Sequence, residues 1–120
     1  MELRVVRVTD RFDEGCRFYG DVLGWPVTKE WDADEGQGRG RIFGHGESAR
    51  IELIEAVGTT PDPVTGVFVS AQVADATAIA DRLAAAGVAL DTPLTTQPWG
   101  HRSLGVTDPT GLRVVLFEVI

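Results

Sequence analysis

Arg50-Ile51-Glu52-Leu53-Ile54-Glu55 and Arg113-Val114-Val115-Leu116-Phe117-Glu118 match position by position at an offset of 63 residues. Both stretches alternate like strands, with Ile51 and Leu53, or Val114 and Leu116, in one phase. Gly24 and Gly87, which follow the two helical stretches, share the offset, and Val8-Thr9-Asp10 pairs with Val73-Ala74-Asp75 at 65. A repeat of this kind fixes the architecture before any single element does. The chain reads as two similar halves, about 1–57 and 66–120, joined by Gly58-Thr59-Thr60-Pro61-Asp62-Pro63 within one domain spanning 1–120.

Each half has the order β-α-β-β-β. In the first, Leu3–Thr9 is a strand and Asp10 is a candidate N-cap. Phe12, Cys16, Tyr19 and Leu23 then recur at helical spacing up to Gly24, and strands follow near 25–31, 41–45 and 49–56. In the second, Val67–Val73 is a strand and Asp75 caps a helix through Ala86. Strands near 88–92 (extendable to 96), 102–107 and 113–119 complete it. Asp108-Pro109-Thr110-Gly111 has the residue choices of a type I turn. A strand–helix–strand unit followed by consecutive strands implies a mixed sheet with its helix on one face, an α+β fold. Gly36-Gln37-Gly38-Arg39-Gly40 lacks the Lys-Ser/Thr ending and following helix of a phosphate loop and reads as a hairpin.

Period-two alternation places Ile51, Leu53, Val114 and Leu116, with Val6, Val8, Val69, Ala71 and Val73, on the helix-packing faces. The opposite phase holds Leu3, Val5, Arg7, Arg50, Glu52, Ile54, Phe68, Ser70, Gln72, Arg113, Val115 and Phe117. That mixture suits a small-molecule cavity, and suits a second core layer or a subunit interface equally well.

The chain has 120 residues, 43% of them apolar, a single domain's worth of material. With 11 basic against 18 acidic residues its net charge is −7, which argues against nucleic acid as a partner. No apolar run approaches the length of a membrane span. The lone Cys16 and the absence of a signal-like apolar run near Met1 lead us to expect a cytoplasmic protein. Eight acids against three bases between residues 10 and 35 suit a cationic ligand, whereas Arg7, Arg50 and Arg113 suit an anionic one, so ligand charge stays open.

The duplicated β-α-β-β-β order, Phe18-Tyr19-Gly20-Asp21-Val22-Leu23-Gly24, and Pro98-Trp99-Gly100 followed by Asp108-Pro109-Thr110-Gly111 resemble the vicinal oxygen chelate superfamily. That group holds glyoxalase I, extradiol dioxygenases and bleomycin resistance proteins. The resemblance implies two modules whose sheets curve around a shared cleft, and a homodimer, in some members strand-exchanged. It also implies metal-ligand slots at Leu3, Glu52, Phe68 (or Val69) and Val115, of which only Glu52 can ligate. A catalytic metal site needs about three good protein ligands, so the expectation is a binder without metal or other cofactor. His45 and His101 are the remaining candidate metal donors.

In bleomycin-resistance-like members the region matching Thr96-Gln97-Pro98-Trp99-Gly100 stacks on flat ligands. The leading reading is therefore a protein that sequesters a small molecule, an antibiotic or another planar metabolite. Trp99 and Trp31 would stack, Phe68, Val115 and Phe117 would wall the site, and His101 would stand at its mouth. Arg50, Arg113 and Gln72 would orient the ligand. The alternative is a lyase or dioxygenase of the same superfamily with Glu52 as catalytic base. A third is a dimeric module whose apolar face is consumed by the subunit contact.

Overall fold

The computed structural model describes all 120 residues and separates into two compact units, Met1–Pro63 and Val64–Ile120. The first runs β1 (Leu3–Thr9), α1 (Phe12–Cys16), a π-helical segment (Arg17–Val22), β2 (Val27–Trp31), β3 (Gly40–His45) and β4 (Ala49–Glu55). Its sheet has the order β1-β4-β3-β2, with β1 parallel to β4 and the other pairs antiparallel. The second runs β5 (Phe68–Gln72), α2 (Ala76–Ala85), β6 (Thr92–Thr96), β7 (His101–Thr107) and β8 (Arg113–Val119), in the order β5-β8-β7-β6. Both units are thus βαβββ, and the α+β reading holds. No helix is long and apolar enough to cross a membrane.

The helical periodicity of the first half is real but not one α-helix. Phe12, Cys16, Tyr19 and Leu23 are all buried, and so is Phe18. Phe18 and Tyr19 are adjacent and both turn inward. The wider segment, closed by Leu23 N–H donating to the Phe18 carbonyl at 3.0 Å, accommodates both. Asp10 does not cap α1; Arg11 stands at the N-cap, and its own N–H donates to Thr9 Oγ1 at 2.9 Å. Asp75 does cap α2, accepting from Ala78 N–H at 3.0 Å, and Gly87 ends it at φ +73°.

Two strands start later than their composition suggests. Trp25 donates its N–H to Tyr19 and Pro26 has none, so β2 begins at Val27. Val88 donates to Leu83 in the closing turn of α2, which delays β6 to Thr92.

The largest correction concerns β1. Its parallel register sets Val5 beside Ile51 and Arg7 beside Leu53, on the helix side. Arg4, Val6 and Val8 lie beside Arg50, Glu52 and Ile54 on the other face, opposite to the alternation reading. In the second unit Phe68 stands beside Arg113, so Phe68 corresponds to Arg4 at an offset of 64, not 65. One residue of slip inverts every side chain of a strand, and β1 carries apolar and basic residues in both phases, so composition could not reveal it. For β5 and β8 the alternation was right: Phe68, Ser70 and Gln72 share a face with Arg113, Val115 and Phe117.

The helix-side cores are built alike. Phe12, Phe18, Tyr19 and Leu23 cover Phe43, Ile51 and Leu53 in one unit. Leu83 and Ala76 cover Leu104, Val106, Val114 and Leu116 in the other. Each fully buried aliphatic side chain contributes about 1.5–3 kcal/mol.

Candidate functional site

The face of each sheet turned away from its helix is where the units differ. In the second unit it holds a concavity of about 410 Å³, within the ~300–1,000 Å³ of small-molecule sites. Its apolar lining comes from Phe68 (β5) and from Val115 and Phe117 (β8), and Trp99 stands at one edge. The polar lining is Ser70, Thr92, Gln97, His101, Ser103 and Arg113.

The Trp99 edge is made by a tight turn. Gly100 N–H donates to the Gln97 carbonyl at 3.2 Å and Gln97 N–H to that of His101 at 2.6 Å, with Gly100 at φ +89°. This positive φ favours glycine, and the turn leaves the Trp99 indole 67% exposed. His101 stacks on Phe117, ring centroids 4.4 Å apart and planes at 16°. Arg113 donates from Nη2 to Thr92 Oγ1 at 2.9 Å, and Gln97 from Nε2 to Ser103 Oγ at 3.3 Å. Six residues expected at a site therefore line one concavity: Phe68, Trp99, His101, Arg113, Val115 and Phe117. Gln72, beside Phe117 in the register, is on the same face but outside the lining.

The other three, Trp31, Arg50 and Glu52, lie on the corresponding face of the first unit. There ion pairs occupy the surface. Arg4 bonds Glu52 Oε1 from Nη1 at 3.0 Å and also pairs with Glu2, which in turn lies 3.6 Å from Arg50. The hydrogen bond from Arg4 holds the exposed Glu2 carboxyl below the usual carboxylate range. Arg50 also clamps the β3–β4 turn, donating to the carbonyls of Gly46, Glu47 and Ala49. Trp31 lies flat over Gly40, where a Cβ would come within 1.9 Å of the indole.

With the register corrected, the slots that the resemblance would give to metal ligands fall on Arg4, Glu52, Phe68 and Val115. The only carboxylate among them is already bonded to a guanidinium. His45 stacks on Trp25 at 4.5 Å and His101 on Phe117, and no three His, Cys, Asp or Glu side chains converge. This donor set does not fit a divalent metal.

A further depression of about 510 Å³ lies beside α1, with Asp13, Cys16, Arg17, Asp21 and Arg41 on its lining. Burial pushes the Cys16 thiol up, away from the thiolate that would react. Residues that sequence reasoning passed over are Arg4, which needs the β1 register, and Thr92, Ser103 and Gly105. Ser103 and Gly105 share the β7 phase of His101, a signal that period two could have supplied.

A family model described as Glyoxalase/Bleomycin resistance protein/Dioxygenase superfamily matches residues 3–116. No curated protein matches. Among solved structures, the chain is similar to TnmS3, an antibiotic binding protein from Streptomyces sp. CB03234, with TM-score 0.75, 20% identity, and coverage of 100% of this chain and 96% of that one. It is also similar to the Leishmania major glyoxalase I, with TM-score 0.78, 22% identity and coverage of 98% and 86%. A third is the YycE protein of unknown function from Bacillus subtilis, with TM-score 0.73, 26% identity and coverage of 96% and 87%.

Proposed function

The chain belongs to the glyoxalase/bleomycin resistance protein/dioxygenase superfamily, and we propose that within it this protein is a metal-free binder that sequesters a planar small molecule, such as an antibiotic or another aromatic metabolite. The observation that carries the reading is the second unit's concavity, with its apolar floor and the exposed Trp99 indole at its edge. Trp99 and Phe68 are both largely exposed on this one lining, and it is such grouped apolar surface, not a single exposed ring, that marks a binding site. The antibiotic-binding TnmS3 has the same fold, which supports the reading without naming a ligand.

The enzymatic reading, with Glu52 as base or metal ligand, draws support from the fold shared with a glyoxalase I. It is the weaker one because Arg4 already holds the Glu52 carboxylate. We further propose a cytoplasmic homodimer, to be checked by light scattering in solution.

The test is tryptophan fluorescence against a panel of planar aromatic compounds, with elemental analysis of protein purified without chelator. Saturable quenching that Trp99→Ala abolishes at an unchanged unfolding midpoint supports the binder. Loss of the fold in Trp99→Ala would reassign Trp99 to structure. One tightly held metal per chain would overturn the metal-free reading in favour of the enzyme.

A further inference from the structure

The concavity carries a cation and no counter-charge. Arg113 is the sole Lys or Arg on its lining, and no Asp or Glu lines it. In the first unit Arg4, Arg11, Arg39, Arg41 and Arg50 each stand against a carboxylate. The only side-chain partner of Arg113 is the neutral Thr92 hydroxyl, in a chain with seven more acids than bases. A guanidinium has five N–H donors in a planar fork, so most of this one's capacity is unused.

Its position is built into the sheet. Gly105 lies next to Val115 and Thr92 in the β-ladder, and a Cβ there would stand 3.1 Å from Thr92 Oγ1 and 3.3 Å from Arg113 Nη2. The missing side chain lets the guanidinium lie low across β7, with the Thr92 hydroxyl fixing one arm. Beside it on β5 is Phe68, 61% exposed.

Resting on the binding reading above, we infer that the ligand class is a planar aromatic compound bearing a carboxylate. The ring lies on the Phe68 and Trp99 surfaces, and the carboxylate oxygens accept from Arg113. The fork matches a carboxylate in two parallel bonds. With a single cation present, a monoanion is matched and a phosphate dianion is left half neutralised. A cationic ligand finds no carboxylate on this lining.

The experiment is calorimetric titration of the full chain with naphthoate, naphthylmethanol and naphthylmethylammonium, which share a ring and differ in charge. Naphthoate is expected to bind about tenfold more tightly than the alcohol, as expected for a charged hydrogen-bonded pair at a partly exposed site. The preference should shrink with added salt. Arg113→Gln should remove the preference, weakening naphthoate about tenfold while the alcohol, which can lose at most a neutral hydrogen bond, is weakened much less. Thr92→Val, which frees the guanidinium without removing it, should reduce the preference in part and covers the case in which Arg113→Gln fails to fold. Equal binding of acid and alcohol, or tighter binding of the ammonium compound, overturns the inference. The binding reading then stands if Trp99→Ala still weakens all three. Failure of all three to bind also overturns it, and the binding reading falls with it if the wider aromatic panel gives no Trp99-dependent quenching.

Discussion

The two units are copies on the helix side and opposites on the other. Ile51 and Leu53 on β4 find the same buried surroundings as Val114 and Leu116 on β8. Across the sheet, the first unit pairs its charges, with Glu2, Arg4, Glu52 and Arg50 joined and Trp31 laid over Gly40, while Val6 and Val8 stay exposed beside them. The second unit keeps Trp99, Phe68 and an Arg113 free of carboxylates around a concavity. Even the matched glutamates have diverged: Glu55 binds Arg39, whereas Glu118 accepts from Ala76 N–H at the start of α2. Duplication preserves what the fold needs, and only the other face is at liberty to change.

The strongest challenge to this comparison is to truncate the matched core leucines. Leu53→Ala and Leu116→Ala remove wholly buried side chains, and each should cost about 2–5 kcal/mol in denaturant unfolding. A negligible cost in one unit would mean that the cores are not equivalent.

Next in size is a pair of glycine substitutions. Gly40→Ala drives a methyl into the Trp31 indole and should cost about 1–3 kcal/mol with a red-shifted tryptophan emission. Gly105→Ala meets Thr92 Oγ1 at 3.1 Å and Arg113 Nη2 and Thr92 Cβ at 3.3 Å, contacts that a shift of a few tenths of an ångström relieves. Its cost should be under about 1 kcal/mol, near that of a surface change. Equal costs would show that the first unit's outer face is no more tightly closed than the second's.

Trp99→Ala sharpens the contrast from the other direction. With the indole 67% exposed, unfolding stability should stay within about 0.5 kcal/mol, while affinity for a planar ligand should fall about tenfold.

The smallest effect is on pH. Hydrogen bonds from the Arg39 side chain, then from its backbone, hold the Glu55 carboxyl below its ordinary value of 4.5. A lowered pKa contributes stability that is present above the ordinary value and is lost as pH falls through the lowered one. Glu55→Gln should therefore flatten part of the fall in unfolding midpoint on acidification below pH 4.5. Parallel curves for the two proteins would show that the exposed pair contributes nothing.

Much of this was legible in the residues. The repeat, the element order, the Asp75 cap and the burial of Ile51, Leu53, Val114 and Leu116 follow from local patterning, because a strand's faces and a helix's start depend on near neighbours. The grouping of Phe68, Arg113, Val115 and Phe117 was equally readable, since β5 and β8 alternate cleanly. The extra inward residue at Phe18, the phase of β1, and the partners of Arg4, Arg50 and Arg113 were not. Each depends on a register or a long side chain's reach across strands far apart in sequence. A basic residue reads the same whether it meets a glutamate, a turn's carbonyls or a lone threonine. Sequence alone thus determined a duplicated α+β framework whose outer faces mix apolar with a few polar residues. Tertiary structure decided that Arg4 is matched with Glu52 and Arg113 with no carboxylate, because charge pairing is set by which strands lie side by side and in what register.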